Sequence, residues 1–265
     1  MFSGGLSIIS QSKAIHLSSS FLHNCIVEGI GTRFHMTVSV ADLRRFADSE
    51  DTNSFANKLR ALRFRRFEEM IAPLPRPLRV LDVGGTNSFW EHRGWAERGD
   101  VQITTLNIIP EARLHDNIIP TDGDATDLRQ FADQSMDVVF SNSVIEHLFS
   151  FEMQRRMASE IQRVGKVFWV QTPNFWFPIE PHFHVPGWQW IPLNLRVTII
   201  RRWRCGWRGP CSDPARARQL VEEVRLMRRR ELKTLFPDAM ILSEKFCGLT
   251  KSWIVVGGFE RFRPF

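Results

Sequence analysis

The 265-residue chain is 43% hydrophobic and 24% charged, close to globular averages, which excludes wholesale disorder, collagen and coiled coil and suits one large domain. No apolar run approaches the roughly 18 to 20 residues of a membrane-spanning helix, and the first 35 residues lack the features of a signal peptide, so an integral membrane protein is excluded and a cytoplasmic one expected. Net charge is +6, yet residues 196–230 carry eleven Arg against three acids, a local +8 that leaves about −2 elsewhere and marks a basic patch on an otherwise balanced surface.

Residues 1–36 show neither helical nor strand periodicity and read as an extension expected to be poorly ordered, with the domain proper over 37–265. Residues 40–71 form a charged, loosely amphipathic stretch that places Phe55, Leu59, Leu62 and Phe67 near one face and stops at Pro73, Pro75 and Pro77. Short apolar strands then alternate with helical segments: RVLDV (79–83), VQITTLN (101–107), SMDVVFS (135–141) and GKVFWVQT (165–172). Such alternation predicts a mostly parallel, doubly wound α/β sheet. Between the last two strands a helix over 150–165 puts Met153, Met157, Ile161 and Val164 on one face, with Ser150 to cap its start and Gly165 its end. Residues 173–213, dense in Pro, Trp, Phe, His and Arg, break the rhythm and read as an inserted cap. A basic helix is expected over 214–235, with Pro214 in its permitted first turn, and MILSEKF and KSWIVVGGF close the chain as a hairpin.

Cys25, Cys205, Cys211 and Cys247 are scattered and form neither zinc-type pairs nor a disulfide framework, as in a reducing compartment. No Tyr stands beside 21 Phe, a bias we read as recoding of Tyr to Phe, so no phenol is available as a donor or base.

The strongest local signal is LDVGGTNSFW (81–90), an apolar strand carrying Asp82 that runs through Gly84 and Gly85 into a helix. Glycines there let the backbone approach a ligand, and the helix start offers free N–H donors, a combination that points to nucleotide or cofactor binding. Together with TDGDATDL and SMDVVFSNSVIEHL, in this order and at this spacing, VLDVGG resembles the signature regions of class I S-adenosylmethionine-dependent methyltransferases, particularly the small-molecule type. The resemblance spans roughly residues 79–172. It implies a Rossmann-like, seven-stranded sheet with an antiparallel C-terminal hairpin strand. It also implies S-adenosyl-L-methionine as cofactor, with Asp82, Gly84 and Gly85 shaping its methionine end and Asp124 and Ala125 lying against its adenine. Asn142 would stand at the carboxyl edge of the fourth strand. Thr86 and Ser88 replace the second and third glycines of the motif, and Asn107 replaces the acid that grips the ribose hydroxyls. The missing glycine and acid argue against a dinucleotide oxidoreductase.

The acceptor side is less defined. Ser143 and Glu146 match a capping box opening a helix, a structural reading that competes with a functional one for Glu146. His147 follows the fourth strand. In the cap, Glu180, His182 and His184 alternate among Trp176, Phe177, Phe183, Trp188 and Trp190. An extended backbone would turn the three polar groups to one side of an aromatic enclosure. His182 and His184, with His147 behind them, are the expected base for a small-molecule or lipid- or sugar-linked O or N acceptor. No metal-ligand set stands out, and none is expected to be required. The Arg run of residues 196–230 suits an anionic substrate or a peripheral membrane contact. Without an RNA-binding module, nucleic acid is disfavoured. The competing reading is a degenerate, non-catalytic methyltransferase-fold module that docks on a membrane surface or a protein through the Trp/Arg-rich insertion.

Overall fold

The computed structural model describes residues 55–206 and 208–259, and the backbone of two short strands, β1 (Cys25–Gly29) and β2 (Thr32–Met36), paired antiparallel. This hairpin lies inside the segment read as an aperiodic extension; the other residues of 1–54, and with them the expected order of that extension, fall outside the described residues.

Seven strands form the main sheet: β3 (Leu78–Val83), β4 (Val101–Asn107), β5 (Ile118–Asp122), β6 (Met136–Asn142), β7 (Gly165–Pro173), β8 (Met240–Phe246) and β9 (Leu249–Gly257), in the order β5-β4-β3-β6-β7-β9-β8. Pairing is parallel from β5 through β7, and β9 runs antiparallel to both of its neighbours, so one strand opposes six. This is the doubly wound Rossmann-like sheet with a closing antiparallel hairpin strand. The strand order reverses between β3 and β6, and the crevice outside their carboxyl ends is where such sheets bind ligands.

Side-chain alternation along the strands separates two cores. Leu81, Val83, Val139 and Val170 pack on one face with Met157, Ile161 and Val164 of α3 (Phe151–Val164) and Leu232 and Leu235 of α6 (Arg229–Leu235). Ser150 caps α3, its hydroxyl accepting from the Met153 N–H. The other face buries Val80, Val138, Phe140 and Trp169 against Phe64, Phe67 and Ile71 of α1 (Phe55–Ile71) and against Trp90 of α2 (Asn87–His92). Leu62, expected on the buried stripe of α1, is 50% exposed, because the stripe that meets the sheet runs through 64, 67 and 71 at helical spacing.

Three other elements depart from expectation. β5 was not foreseen; only Ile118 is fully buried in this edge strand, which carries Pro120, so its pattern is weak. After β6 the chain makes one 3-10 turn (Ile145–His147) instead of a helix. The basic segment divides into α5 (Pro214–Glu222), capped by Asp213, and α6, with a break where the Arg225 N–H donates to the Glu146 carbonyl at 2.7 Å and Met227 bridges Asn174. The cap has a core of its own, in which Phe183, Trp188 and Ile200 of α4 (Leu193–Arg202) pack with Ala217 and Val221 of α5, so it extends beyond residue 213. No described helix is long and apolar enough to cross a membrane.

Candidate active site

The carboxyl ends of β3, β4, β5 and β6 are tied into one edge. The Gly84 N–H donates to the Leu106 carbonyl at 2.8 Å, the Gly123 N–H to the Asn107 carbonyl at 3.0 Å, and the Asn107 side-chain amide to the Gly85 carbonyl at 2.7 Å. Gly84 takes a left-handed φ of 80°, and a β-carbon on it would meet Val144 at 2.4 Å; on Gly85 it would overlap the Asp82 carboxylate at 1.9 Å. These two glycines are therefore required by close packing, Gly84 against Val144 after β6 and Gly85 against Asp82 of β3. Asp82 is 2% exposed and accepts from the Trp90 indole N–H at 2.7 Å. Burial pushes its carboxyl up to about 7, against the pull of that hydrogen bond. Thr86 caps α2 through the Phe89 N–H.

At the outer end of the edge Asp124 is exposed, and its Oδ1 accepts from both the N–H and the hydroxyl of Thr126, which holds the carboxylate in place. Ala125 packs partly against the core. Ile108 and Ile109, directly after Asn107, are 76% and 85% exposed. At the other end Asn142 is held by Arg63, whose Nη1 donates to its Oδ1 at 2.7 Å while Nε and Nη2 clasp Glu244 at 3.0 and 2.8 Å. Sequence reasoning missed Arg63: its carboxylate partner lies 181 residues away, and nothing local to α1 marks it.

A second group forms where the cap meets the chain after β6. Residues 180–184 make a turn closed by the His184 N–H on the Glu180 carbonyl, so Glu180, His182 and His184 do not share one side of an extended segment as expected. Instead the Glu180 carboxylate accepts from the N–H groups of His182 and Phe183 and from the His182 ring Nδ1 at 2.5 Å. His182 Nε2 lies 3.1 Å from His147 Nε2. His184, at the end of the turn with a φ of 51°, is not part of this pair. The capping box also does not form: Ser143 donates to Gln171, and fully buried Glu146 accepts from the Thr172 hydroxyl at 2.9 Å. Burial pushes the Glu146 carboxyl up to about 7 and pulls His147 down to about 4. His182 is raised, because the Glu180 carboxylate outweighs the opposing effect of burial.

Glu180 also lines a cavity of about 210 Å³ with Phe175, Trp188, Arg196, Arg225 and Arg228. The aromatics do not form a single enclosure: Phe183 stacks on Trp188 at 4.4 Å inside the cap core, whereas Trp176 and Trp190 are 59% and 49% exposed. Among the cavity's lining residues, Arg196 Nε, Arg228 Nε, Trp188 Nε1 and Gln189 Oε1 are buried with no hydrogen-bond partner.

The family model for a methyltransferase domain matches residues 81–167, the stretch that builds this edge. This stretch is similar to a methyltransferase domain over about a third of the chain. Two uncharacterized proteins of Mycobacterium tuberculosis, from strains CDC 1551 and H37Rv, are each 33% identical to it over 66 residues, 25% of this chain. The matched stretch spans only 22% of those relatives' length. Among solved structures, a SAM-dependent methyltransferase from Aquifex aeolicus is 12% identical with a TM-score of 0.43, over 82% of this chain and 92% of that one. The CurJ carbon methyltransferase is 13% identical with a TM-score of 0.45, over 74% and 52%. Likenesses at this level add nothing to the family match.

The cofactor of this domain class is S-adenosyl-L-methionine, and the edge suits it in kind. The exposed Asp124 carboxylate can accept from an exocyclic amine. Exposed Ile108 and Ile109 offer apolar surface to a flat ring, and the Asn107 side-chain oxygen can accept from a hydroxyl. Asp82 is buried and packs against Gly85.

Proposed function

We propose that this protein transfers the methyl group of S-adenosylmethionine to a small acceptor that carries a phosphate or carboxylate. Three arginines that line one cavity, Arg196, Arg225 and Arg228, carry this reading. A cluster of guanidinium groups at a cavity favours a phosphate or carboxylate ligand. The lining also holds two carboxylates against the three cations: Glu231, which pairs with Arg225, and Glu180, which accepts from His182 and Phe183. Arg228 is further steadied over the Phe175 ring at 4.1 Å.

When bound, the cofactor supplies an electrophilic methyl group. The chain's part is to hold the acceptor in line with it and keep water out, since displacement at carbon needs positioning more than covalent help. Arg196 and Arg228 would anchor the acceptor's anionic end. His147 and His182, reached from the cavity through Glu180 and from Gly84 through Val144, mark where its reacting atom would lie.

The test is turnover of methyl-labelled S-adenosylmethionine on acceptor pairs that differ only in a phosphate or a carboxylate. The anionic member of each pair should be the better substrate, and Arg196→Gln and Arg228→Gln should raise KM more than they lower kcat. Equal use of neutral members, or unchanged KM in both variants, would reject the acceptor class.

A second reading, a module docked on an anionic membrane surface, is favoured by one observation: Trp203 is 49% exposed between exposed Arg202 and Arg204, beside Arg201. An interfacial aromatic flanked by cations suits anionic headgroups. Salt-sensitive cosedimentation with anionic vesicles, abolished by charge reversal at Arg201, Arg202 and Arg204, would support it. Binding to neutral and anionic vesicles alike would not.

A further inference from the structure

We propose that Glu146, His147 and His182 form a binding site for one divalent transition-metal ion of the zinc type. Each offers one ligand atom, and the three atoms lie within 4.8 Å of one another. Among the described residues no other group of His, Cys, Asp and Glu converges in this way. No such set stands out in the sequence, because the third ligand arrives from the cap, 35 residues after the second.

Four features of the cluster point to a cation. First, Glu146 is fully buried, and its Oε1 has no hydrogen-bond partner, while the other oxygen is held by Thr172. A buried carboxylate oxygen left open asks for a positive partner. Second, the two imidazoles present Nε2 to Nε2 at 3.1 Å with rings at 88°. Ligand atoms that share a tetrahedral zinc ion stand about 3.3 Å apart at Zn–N distances of about 2.0 to 2.1 Å, so the pair already has the separation one ion requires. Third, His182 Nδ1 is bound to the Glu180 carboxylate at 2.5 Å. That contact places the ring proton on Nδ1 and the lone pair on Nε2, the carboxylate–histidine brace usual behind a metal ligand. Fourth, the backbone that carries Glu146 is held in place, since the Arg225 N–H donates to the Glu146 carbonyl. Two imidazoles and one carboxylate make up the three-ligand set of sites that keep a coordination position open. Metal binding at these three ligands does not rest on the methyl-transfer reading.

The full-length protein, stripped with chelator and dialysed, would be titrated with zinc chloride in the calorimeter and with cobalt chloride by visible absorption, both without S-adenosylmethionine. One zinc per chain is expected, together with the intense visible bands of tetrahedral cobalt and a rise in Tm on adding zinc. His147→Ala and His182→Ala should abolish stoichiometric binding. Glu180→Gln, which leaves all three ligands in place, should weaken it by about 10- to 100-fold, and His92→Ala on α2 should bind as wild type. Circular dichroism of each variant separates lost ligation from lost folding. Absence of stoichiometric zinc in the wild type, or wild-type affinity in both His147→Ala and His182→Ala, would overturn the proposal and leave the methyl-transfer reading untouched.

Discussion

Replacing Arg63 by Met tests how the site is tied to the fold. Arg63 and Glu244 are each 9% exposed along their side chains and meet in a two-pronged ion pair, with the third guanidinium nitrogen on Asn142. Burial alone would raise the Glu244 carboxyl; Arg63, helped by Ser252 and Lys251, outweighs it and holds the group below its usual range. Removing Arg63 takes away the main ion-pair partner of this buried carboxylate and leaves it the Ser252 hydroxyl and the Lys251 charge, which costs up to about 3 to 5 kcal/mol. At roughly 2 to 4 °C per kcal/mol for a chain of this size, Tm should fall by about 6 to 20 °C. Adding Glu244→Leu removes the stranded charge, so the double variant should recover most of the loss. It should keep a deficit of about 1 kcal/mol from the Ser252 hydroxyl that had bonded to Glu244. Asn142 stays untethered in both variants, so cofactor affinity should remain weakened when stability returns. Thermal unfolding by circular dichroism and titration with S-adenosylhomocysteine read the two effects separately. A single variant less than 1 kcal/mol below wild type, or a double variant less stable than the single, would refute the reasoning.

Gly85→Ala drives a methyl group into the Asp82 carboxylate and should cost about 2 to 4 kcal/mol by overpacking and loss of the Trp90 bond, measured by urea unfolding. Asp82 has a folded pKa of about 7 against an ordinary 3.8, so folding takes up a proton between these values. Its contribution is full below about pH 4 and is lost as pH rises through about 7, and the stability of wild type relative to Asp82→Asn should decline over that window by up to about 4 kcal/mol. Ser150→Ala removes the α3 cap and should cost about 1 kcal/mol by the same unfolding assay.

Much of the scaffold was legible because its signals are local. Strand β4 falls on its expected bounds and β3, β6 and β7 within a residue of theirs, since apolar runs between turns need no distant partner. Ser150 caps its helix through the helix's own first turn. The failures are tertiary. Leu62 and Phe64 exchange places because the sheet selects the face of α1. The basic helix breaks where residues 225–227 bond back to Glu146 and Asn174. The capping box fails because Glu146 is drawn inward to Thr172. At the site, Gly84, Gly85 and Asn107 could be found from a motif with fixed spacing. The meeting of Glu146 and His147 with His182 could not, because it depends on how a 40-residue insertion folds back over the sheet edge.

Calorimetric titration of the wild-type protein with S-adenosylhomocysteine, repeated on Asp124→Ala, tests the central claim most directly. Asp124 is exposed and bonds only locally to Thr126, so its loss should leave the fold intact. Binding at one site per chain is expected in the wild type. Removing a charged hydrogen-bond acceptor worth about 1.5 to 3 kcal/mol should weaken it by roughly 10- to 150-fold in the variant. No heat of binding in the wild type at millimolar ligand, or equal affinity in the two proteins, would contradict a cofactor seated on the edge formed by Gly84, Asn107 and Asp124.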